Sequence, residues 1–402
     1  MALTSDILDI GNSVVIDDSI EAIEYHTYLP YSESYKNNDE IRIRINDQDQ
    51  IVLPCESQLI IEGTTTKSSS FVNNAPAHLF QDIRYELNGV EIDRTKNCGI
   101  TTTMKGLLSY GSEEADALEN SGWNVSGFKE LDGEFCFTVP LGHLLGFAED
   151  YKKVIINAKH ELILNRSSTN LNCALAKDAT KTITVDITRI AWRMPIIKVS
   201  DREKLNILKY METNIPIAIS FRSWDLYEYP VLPASQKHVW TVKTATQLEK
   251  PRFVIIGFQH SRNNDATKDK SLFDHTNFYN ARLYLNSQYY PYDSFCNDFE
   301  KGMYAVLYES FINFKRSYYG VINPNVQINP PHFKTKPPLV VIDCSRQSDT
   351  LRSGVGGGID IKLELEFKKT VPVDTSAYCL IIYDSLFEYT VLTKTVRKIT
   401  AL

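Results

Sequence analysis

Eight histidines are the first place to look for chemistry: His26, His78, His143, His160, His238, His260, His275 and His332. None falls in the HxH, HxxxH or HExxH spacing that sets two imidazoles on one side of a strand or helix to hold a metal ion. His260 and His275 flank the polar stretch "NNDATKDKS" and read as surface residues rather than ligands. "NDQDQ" at Asn46 carries Asp47 and Asp49 in a DxD spacing that could hold a cation, yet its polar neighbours make it a hairpin turn. "IDCS" sets Asp343, Cys344 and Ser345 side by side with His332 upstream, the residue types of a nucleophile and its base. The apolar run that ends at Cys344 marks it instead as an inert buried thiol. "SGVGGG" from Ser353 lacks the GK[ST] ending of a phosphate loop and reads as a flexible connection. "NVS" at Asn124 and "NRS" at Asn165 match the glycosylation triplet, which carries no weight without an export signal. The sequence assigns no catalytic residue, no cofactor-binding residue and no metal ligand.

The bulk properties point away from nucleic-acid and membrane chemistry as well. In 402 residues, 43% hydrophobic with 22 Tyr and 18 Phe, there is enough apolar surface for two ordinary cores and a composition that leans towards strands. The formal net charge is -7, and Asp6, Asp9, Asp17, Asp18, Glu21, Glu24 and Glu33 all precede Lys36, the first Lys or Arg. Such an arm would repel phosphates. The start "MALTSDILDIG" has no basic n-region, and no apolar run approaches the roughly 18 residues that cross a bilayer, so the chain reads as soluble and made in a cytosol. Seven cysteines form no CxxC pair and read as reduced, mostly core thiols.

The elements that would position any site are strands. In "IRIRI", Ile41, Ile43 and Ile45 oppose Arg42 and Arg44; in "IDIKLELEF", Ile359, Ile361, Leu363, Leu365 and Phe367 oppose Asp360, Lys362, Glu364 and Glu366. "TITVDIT" from Thr182 alternates likewise, while "FVIIGF" from Phe253 and "YCLIIY" from Tyr378 suit burial on both faces. Helical patterns are few. Ser200 and Glu203 in "SDREKLNILKYME" form a capping box before a stripe of Leu205, Leu208 and Met211 or Ile207, read as a bridge between two halves. Asn297–Ser317 is a second candidate, and Ile100–Asn120 a weaker third.

The two halves repeat one another. "RYELNGVEID" from Arg84 returns as "RLYLNSQYYP" from Arg282, with Asn88 and Asn286 in register. Met104 then aligns with Met303, "FTVPL" at Phe137 with "LVVID" at Leu339, "HELIL" at His160 with "IKLEL" at Ile361, and "ITVDITRIAW" with "YCLIIYDSLF". "VLPCESQLIIEGT" from Val52 aligns with "VLPASQKHVWTVKT" from Val231 at a shorter spacing, attributed to a longer loop around "NNDATKDKS" in the second copy. This period is too long for a solenoid unit and describes a duplicated domain. The predicted fold is all-β: two tandem eight-stranded antiparallel jelly rolls, with short helices in loops and a linking helix. The boundaries read as an extended arm over 1–24, a first jelly roll over 25–199, the linking helix over 200–213 and a second jelly roll over 214–402.

The chain resembles the double jelly-roll major capsid proteins of the adenovirus hexon lineage, and is most similar to those of Maverick or Polinton elements and adintoviruses. The resemblance rests on "IEYHTYLPYS", "NNDEIRIRI", "LFQDIRYELNGVEIDRTKNCGI", "FTVPLGHLLGFAEDYKKVIINAKHELILNR", "FRSWDLYEYPVLPASQKHVW" and "NARLYLNSQYYPYDSF". It implies a non-enzymatic structural protein without cofactors, made in the host cytoplasm and located in the virion. Three copies would form a pseudo-hexagonal capsomer that tiles an icosahedral shell around a DNA genome. The implied partners are the chain itself, neighbouring capsomers, a single jelly-roll penton protein and minor capsid proteins, without sequence-specific nucleic-acid binding and with room for an internal membrane. A two-domain β-sandwich carbohydrate-binding or adhesion protein would share the strand pattern, but should show an export signal and an even set of cysteines.

Overall fold

The computed structural model describes residues 19–47, 49–66, 69–124, 133–176, 183–243, 251–286, 288–346 and 360–399. The acidic arm through Asp18 and the "SGVGGG" stretch lie outside these residues. The first half contributes strands β1 (Ile20–Tyr28), β2 (Glu40–Ile45), β3 (Gln58–Thr65), β4 (Phe80–Leu87), β5 (Val90–Lys96), β6 (Glu134–Pro140), β7 (His160–Arg166) and β8 (Val185–Val199). The second contributes β9 (Ile217–Tyr229), β10 (Lys237–Lys243), β11 (Pro251–His260), β12 (Phe278–Leu285), β13 (Gln288–Tyr290), β14 (Val340–Asp343), β15 (Ile361–Phe367) and β16 (Thr375–Thr390), and β17 (Thr395–Lys398) then pairs with β16.

Each half is built on two facing antiparallel sheets, to which the first half adds the short strands Ile51–Val52 and Ile155–Ile156 beside β8 and a separate pair, Ser69–Phe71 with Ala174–Ala176. The first orders β6-β3-β8-β1 over β2-β7-β4-β5; the second orders β14-β11-β16-β9 over β10-β15-β12-β13. Adding eight to each first-half strand number reproduces the second half in both sheets, so the halves share one jelly-roll winding. Alternation in sequence becomes alternation in burial: Ile41, Ile43 and Ile45 are fully buried, as are Ile361, Leu363 and Leu365, while their charged neighbours reach solvent. "FVIIGF" is buried throughout because β11 lies mid-sheet between β14 and β16.

Asn88 and Asn286 show how closely the copies correspond. Both adopt left-handed backbone, φ 51° and 53°, at the turn between the fourth and fifth strands of their barrel. Asn88 N–H donates to Lys159 O at 2.9 Å and its Oδ1 accepts from Lys159 N–H at 2.8 Å. Asn286 repeats both bonds with Asp360, at 3.1 Å and 2.9 Å. Asn tolerates this conformation better than most side chains, and its carboxamide satisfies a neighbouring backbone donor. Asn88→Ala keeps the strain and loses the acceptor, as well as the Asn88 Nδ2 bond to Lys394 O at 3.0 Å. The expected cost is about 2 kcal/mol, read from the urea midpoint at unchanged m-value.

Two landmarks of the repeat pair wrongly. Val52 leads into β3, the third strand of its barrel, whereas Val231 leads into β10, the second strand of the other, so the shorter spacing reflects a slipped alignment rather than a longer loop. Met104 lies buried inside helix α1 (Cys98–Ser109), whereas Met303 is exposed in the turn before its counterpart. Further along the chain come α2 (Gly146–Asp150), α3 (Asp201–Glu212) and α4 (Ala305–Tyr319). The helix predicted from Asn297 starts only at Ala305, because Asp298 and Met303 bridge to each other before it, and the Asp298 carboxylate accepts the N–H groups of Glu300 and Lys301 at 3.1 Å each. The weaker candidate from Ile100 begins earlier, at Cys98, and breaks after Ser109.

The linking helix α3 forms where the capping box predicts it, but Ser200 makes no side-chain cap and Leu205 and Leu208 are exposed. The cysteines are all free, and four are buried: Cys98, Cys173, Cys344 and Cys379. Cys136 and Cys296 are exposed, against the expectation of mostly core thiols only in those positions, and Cys55 is half-buried. No helix among the described residues is long and apolar enough to cross a membrane.

Candidate functional site

The residues that chemistry would recruit are each occupied elsewhere. His260 is exposed, while His275 stacks on Phe299 at 4.7 Å and its Nδ1 accepts from Asn277 N–H at 3.0 Å. Asp47 accepts from Tyr28 OH at 3.3 Å. Cys344 donates its thiol to Pro251 O at 3.3 Å, and burial pushes its pKa up. The adjacent Asp343 accepts from Ser317, Ser345 N–H and Ser345 OH rather than orienting a base. His332 sits on a separate short helix, Pro330–Thr335. Asn165 donates to Asp82 at 2.5 Å near the end of β7, so its carboxamide is already engaged. His78, His143 and His160 are buried, each with its pKa lowered by burial to about 3. His143 meets Tyr110 OH at 2.9 Å, and His160 meets Tyr85 OH at 2.6 Å. Among the described residues, no group of three His, Cys, Asp or Glu could hold a metal ion.

A cluster of buried and half-buried charges lies where the two barrels meet. Lys105 on α1 is 3% exposed and donates to Glu149 at 2.8 Å, Ser109 at 2.9 Å and Tyr319 OH at 2.8 Å. Its Nζ also faces the rings of Tyr318 at 4.3 Å and Trp224 at 5.0 Å. Burial lowers its pKa, with Glu149 opposing. Beside it, Arg222 on β9 donates to Asp150 from its backbone N–H, Nε and Nη2 and to Tyr318 O at 2.6 Å. Although burial disfavours its charge, the Asp150 carboxylate raises its pKa. The Arg222–Asp150 ion pair thus crosses the joint, while Lys105 and Glu149, both of the first barrel, neutralise each other there and bind second-barrel phenols.

The joint is close-packed. A Cβ on Gly146 would lie 1.9 Å from Arg222 O, so only glycine admits this approach of α2 to β9. Phe147 on α2 meets Phe221 on β9 edge to face at 5.5 Å. Asp93 on β5 is buried and accepts Phe147 N–H at 2.9 Å and Arg94 N–H at 3.0 Å; burial raises its pKa to about 7 despite these bonds. Farther along, Tyr389 OH donates to Ile156 O at 2.8 Å, and Asn157 Nδ2 donates to Val391 O at 2.9 Å.

The repeat makes this joint informative, because only one of two equivalent strands is covered. On β9, Ile219, Phe221 and Trp224 are buried under the first barrel. On its counterpart β1 no residue is buried, and Ile20, Ile23 and Tyr25 are 52%, 48% and 40% exposed. The second barrel in turn carries an unmet counterpart of the covering face. At and after β13, Tyr289 and Tyr292 stack at 6.1 Å with Tyr292 85% exposed, and Val306 on α4 is also exposed.

Two facing jelly rolls with one winding, joined in tandem by a linking helix, define a double jelly-roll protein. The chain belongs to the family whose model is described as the double jelly roll-like domain, matched over residues 70–387. No curated protein matches it by sequence. Among solved structures it is similar to the quasi-atomic model of the PBCV-1 virus capsid, with 13% identity, TM-score 0.60, and 97% of this chain and 99% of that one covered. It is similar to the Sputnik virophage structure at 10% identity and TM-score 0.60, covering 100% and 93%. The mavirus major capsid protein matches at 12% identity and TM-score 0.55, covering 98% and 93%. These likenesses establish the fold.

Sequence reasoning missed the joint. Lys105, Glu149, Asp150 and Arg222 form no motif, and the only hint is the acidic pair after "GFA", placed where a helix turn between two strands would present it.

Proposed function

We propose that this chain is a major capsid protein whose three copies close into a capsomer. The observation that carries the proposal is the contrast between β9, covered by the first barrel, and β1, left open with apolar residues outward. A first barrel covers the second within one chain; a second barrel covering the first of the next chain repeats the same contact. A heterologous contact of this kind closes into a ring when the rotation fits, and three chains of two barrels give six similar units about one axis. The mavirus neighbour is itself a major capsid protein, which supports the reading. In it the role is structural and self-assembling in a virion, with an icosahedral shell around DNA, penton and minor capsid partners and host-cell assembly as its finer parts. The domain limits follow as a proposal too: 25–199 and 214–402 as the barrels, 200–213 as the link, and 1–24 as an arm whose last residues enter β1.

Sedimentation or native mass spectrometry tests this directly. The expected particle is three times 45.8 kDa, with hexagonal outlines in negative stain. Ile23→Asp with Tyr25→Asp, both exposed in one chain, should leave the fold intact and weaken assembly at least a hundredfold, about 3 kcal/mol. A wild-type chain that stays monomeric at tens of micromolar, or a double variant that still trimerises, contradicts the reading.

A further inference from the structure

The loop between β11 and β12 folds back over the start of β16 and buries an amine. Lys270 is 4% exposed. Its Nζ donates to Tyr378 OH at 3.0 Å and to Asn263 Oδ1, and among the described residues no carboxylate forms an ion pair with it. Burial disfavours its ammonium; the Glu228 carboxylate favours it and Arg262 opposes it, and burial prevails, so the site shifts towards the neutral amine, which is also the nucleophilic form.

The carboxamide that faces this amine is held at both ends. Tyr378 OH lies 3.4 Å from Asn263 Oδ1 and can donate to it. Asn263 Nδ2 donates to Ser376 Oγ at 3.3 Å, and Ser376 donates onward to Pro230 O at 2.7 Å. A nucleophile, a polarised carbonyl and a positioned leaving nitrogen therefore meet in one cluster. Besides accepting from Lys270, the phenol is placed to stabilise the negative charge that develops on the carbonyl oxygen in an acyl transfer.

We propose that Lys270 and Asn263 become covalently joined in the folded protein, by an amide between Lys270 Nζ and Asn263 Cγ formed with release of ammonia. The Nζ lone pair attacks Cγ, and the tetrahedral oxyanion is held by Tyr378 OH. One proton leaves Nζ for the departing nitrogen, the Cγ–Nδ2 bond breaks, and ammonia departs. One carboxamide and one amine become one secondary amide and ammonia; nothing is oxidised or reduced and no co-reactant is needed. Burial lowers the Lys270 pKa to about 8, which leaves about half of it neutral at pH 8. The bond clasps residues 263–270 into a ring at the end of the barrel opposite the Asn286 turn, where the loop meets β16.

Intact-mass measurement of the purified full chain tests the proposal. After incubation at pH 8 the folded protein should be lighter than its sequence mass by one ammonia, about 17 Da, and a tryptic digest should link the peptide beginning at Asn263 to one containing an uncleaved Lys270. Lys270→Arg keeps the positive charge and should restore the full mass; Tyr378→Phe should slow the loss at least tenfold. An unchanged wild-type mass overturns the proposal. So does an ammonia loss that persists in Lys270→Arg, since that would be a succinimide formed locally at an asparagine.

Discussion

Lys105→Met is expected to destabilise the protein by about 3 kcal/mol and to split its unfolding into two steps. Lys105 belongs to the first barrel, and Tyr318, Tyr319 and Trp224, which surround its ammonium, belong to the second. Methionine fills much of the same volume but leaves Glu149 without its cation. Glu149 still accepts Tyr318 OH at 2.9 Å and Tyr319 OH at 2.5 Å, so two second-barrel phenols remain bound to a carboxylate that has lost its charge partner. The cost falls on the joint rather than on either core, and domains joined by a weakened interface lose cooperativity. Adding Glu149→Gln removes the stranded charge and should recover at least half of the loss, because replacing both members of a buried pair is far milder than removing one. Denaturant unfolding followed by far-UV circular dichroism gives both readouts. A single transition at the wild-type midpoint in Lys105→Met would show that the joint depends on packing alone.

The same joint explains what was and was not legible in the sequence. Period-two alternation in "IRIRI" and "IKLELEF" predicts strands and their buried faces because a sheet with one dry face imposes that pattern directly. The repeat of Asn88 in Asn286 is legible because a left-handed turn restricts residue choice, and such restriction survives where the surrounding side chains have diverged. The "VLP" match fails for the complementary reason: three residues ahead of a strand report only that a strand follows, not which of eight it is. Lys105 and Arg222 were illegible because their meaning lies in partners 44 to 214 positions away, brought together by tertiary contact rather than by period or motif. The exposure of Ile23 and Tyr25 is equally silent in sequence, since β1 alternates no differently from a strand that is covered. Leu205 and Leu208 mislead in the opposite direction, forming a helical stripe that the fold leaves in solvent.

Acid should unfold this protein earlier than its carboxylates alone would. His78, His143 and His160 are held neutral by burial, with pKa values near 3 against an unfolded value of 6.5. A depressed histidine contributes stability that is fully present above the unfolded pKa and is lost as pH falls below it, because the unfolded chain takes up a proton that the folded chain refuses. Three such groups give a slope of about 4 kcal/mol per pH unit below about pH 6. His275, half-buried and lowered by burial, adds in the same sense. Asp93 acts against them: its pKa of about 7 penalises the folded state above neutrality, and that penalty is relieved as pH falls from 7 towards 4. Carboxylates held low by hydrogen bonds, such as Asp39 and Asp298, lose their contributions only near and below pH 4. The window from pH 6 to 4.5 therefore belongs to the histidines less one proton, a net slope of about 2.7 kcal/mol per pH unit. Over that window the loss is about 4 kcal/mol, comparable with the whole stability of an ordinary domain. The urea midpoint, which changes little between pH 7 and 8 because Asp93 and Lys270 titrate there in opposite senses, should fall steeply below pH 6. His160→Gln should flatten that fall by one proton while lowering stability at pH 8, where Tyr85 OH loses its imidazole partner. A midpoint that holds level from pH 6.5 to 4.5 would mean that water or local opening reaches these rings, and that the barrel interiors are less closed than their packing indicates.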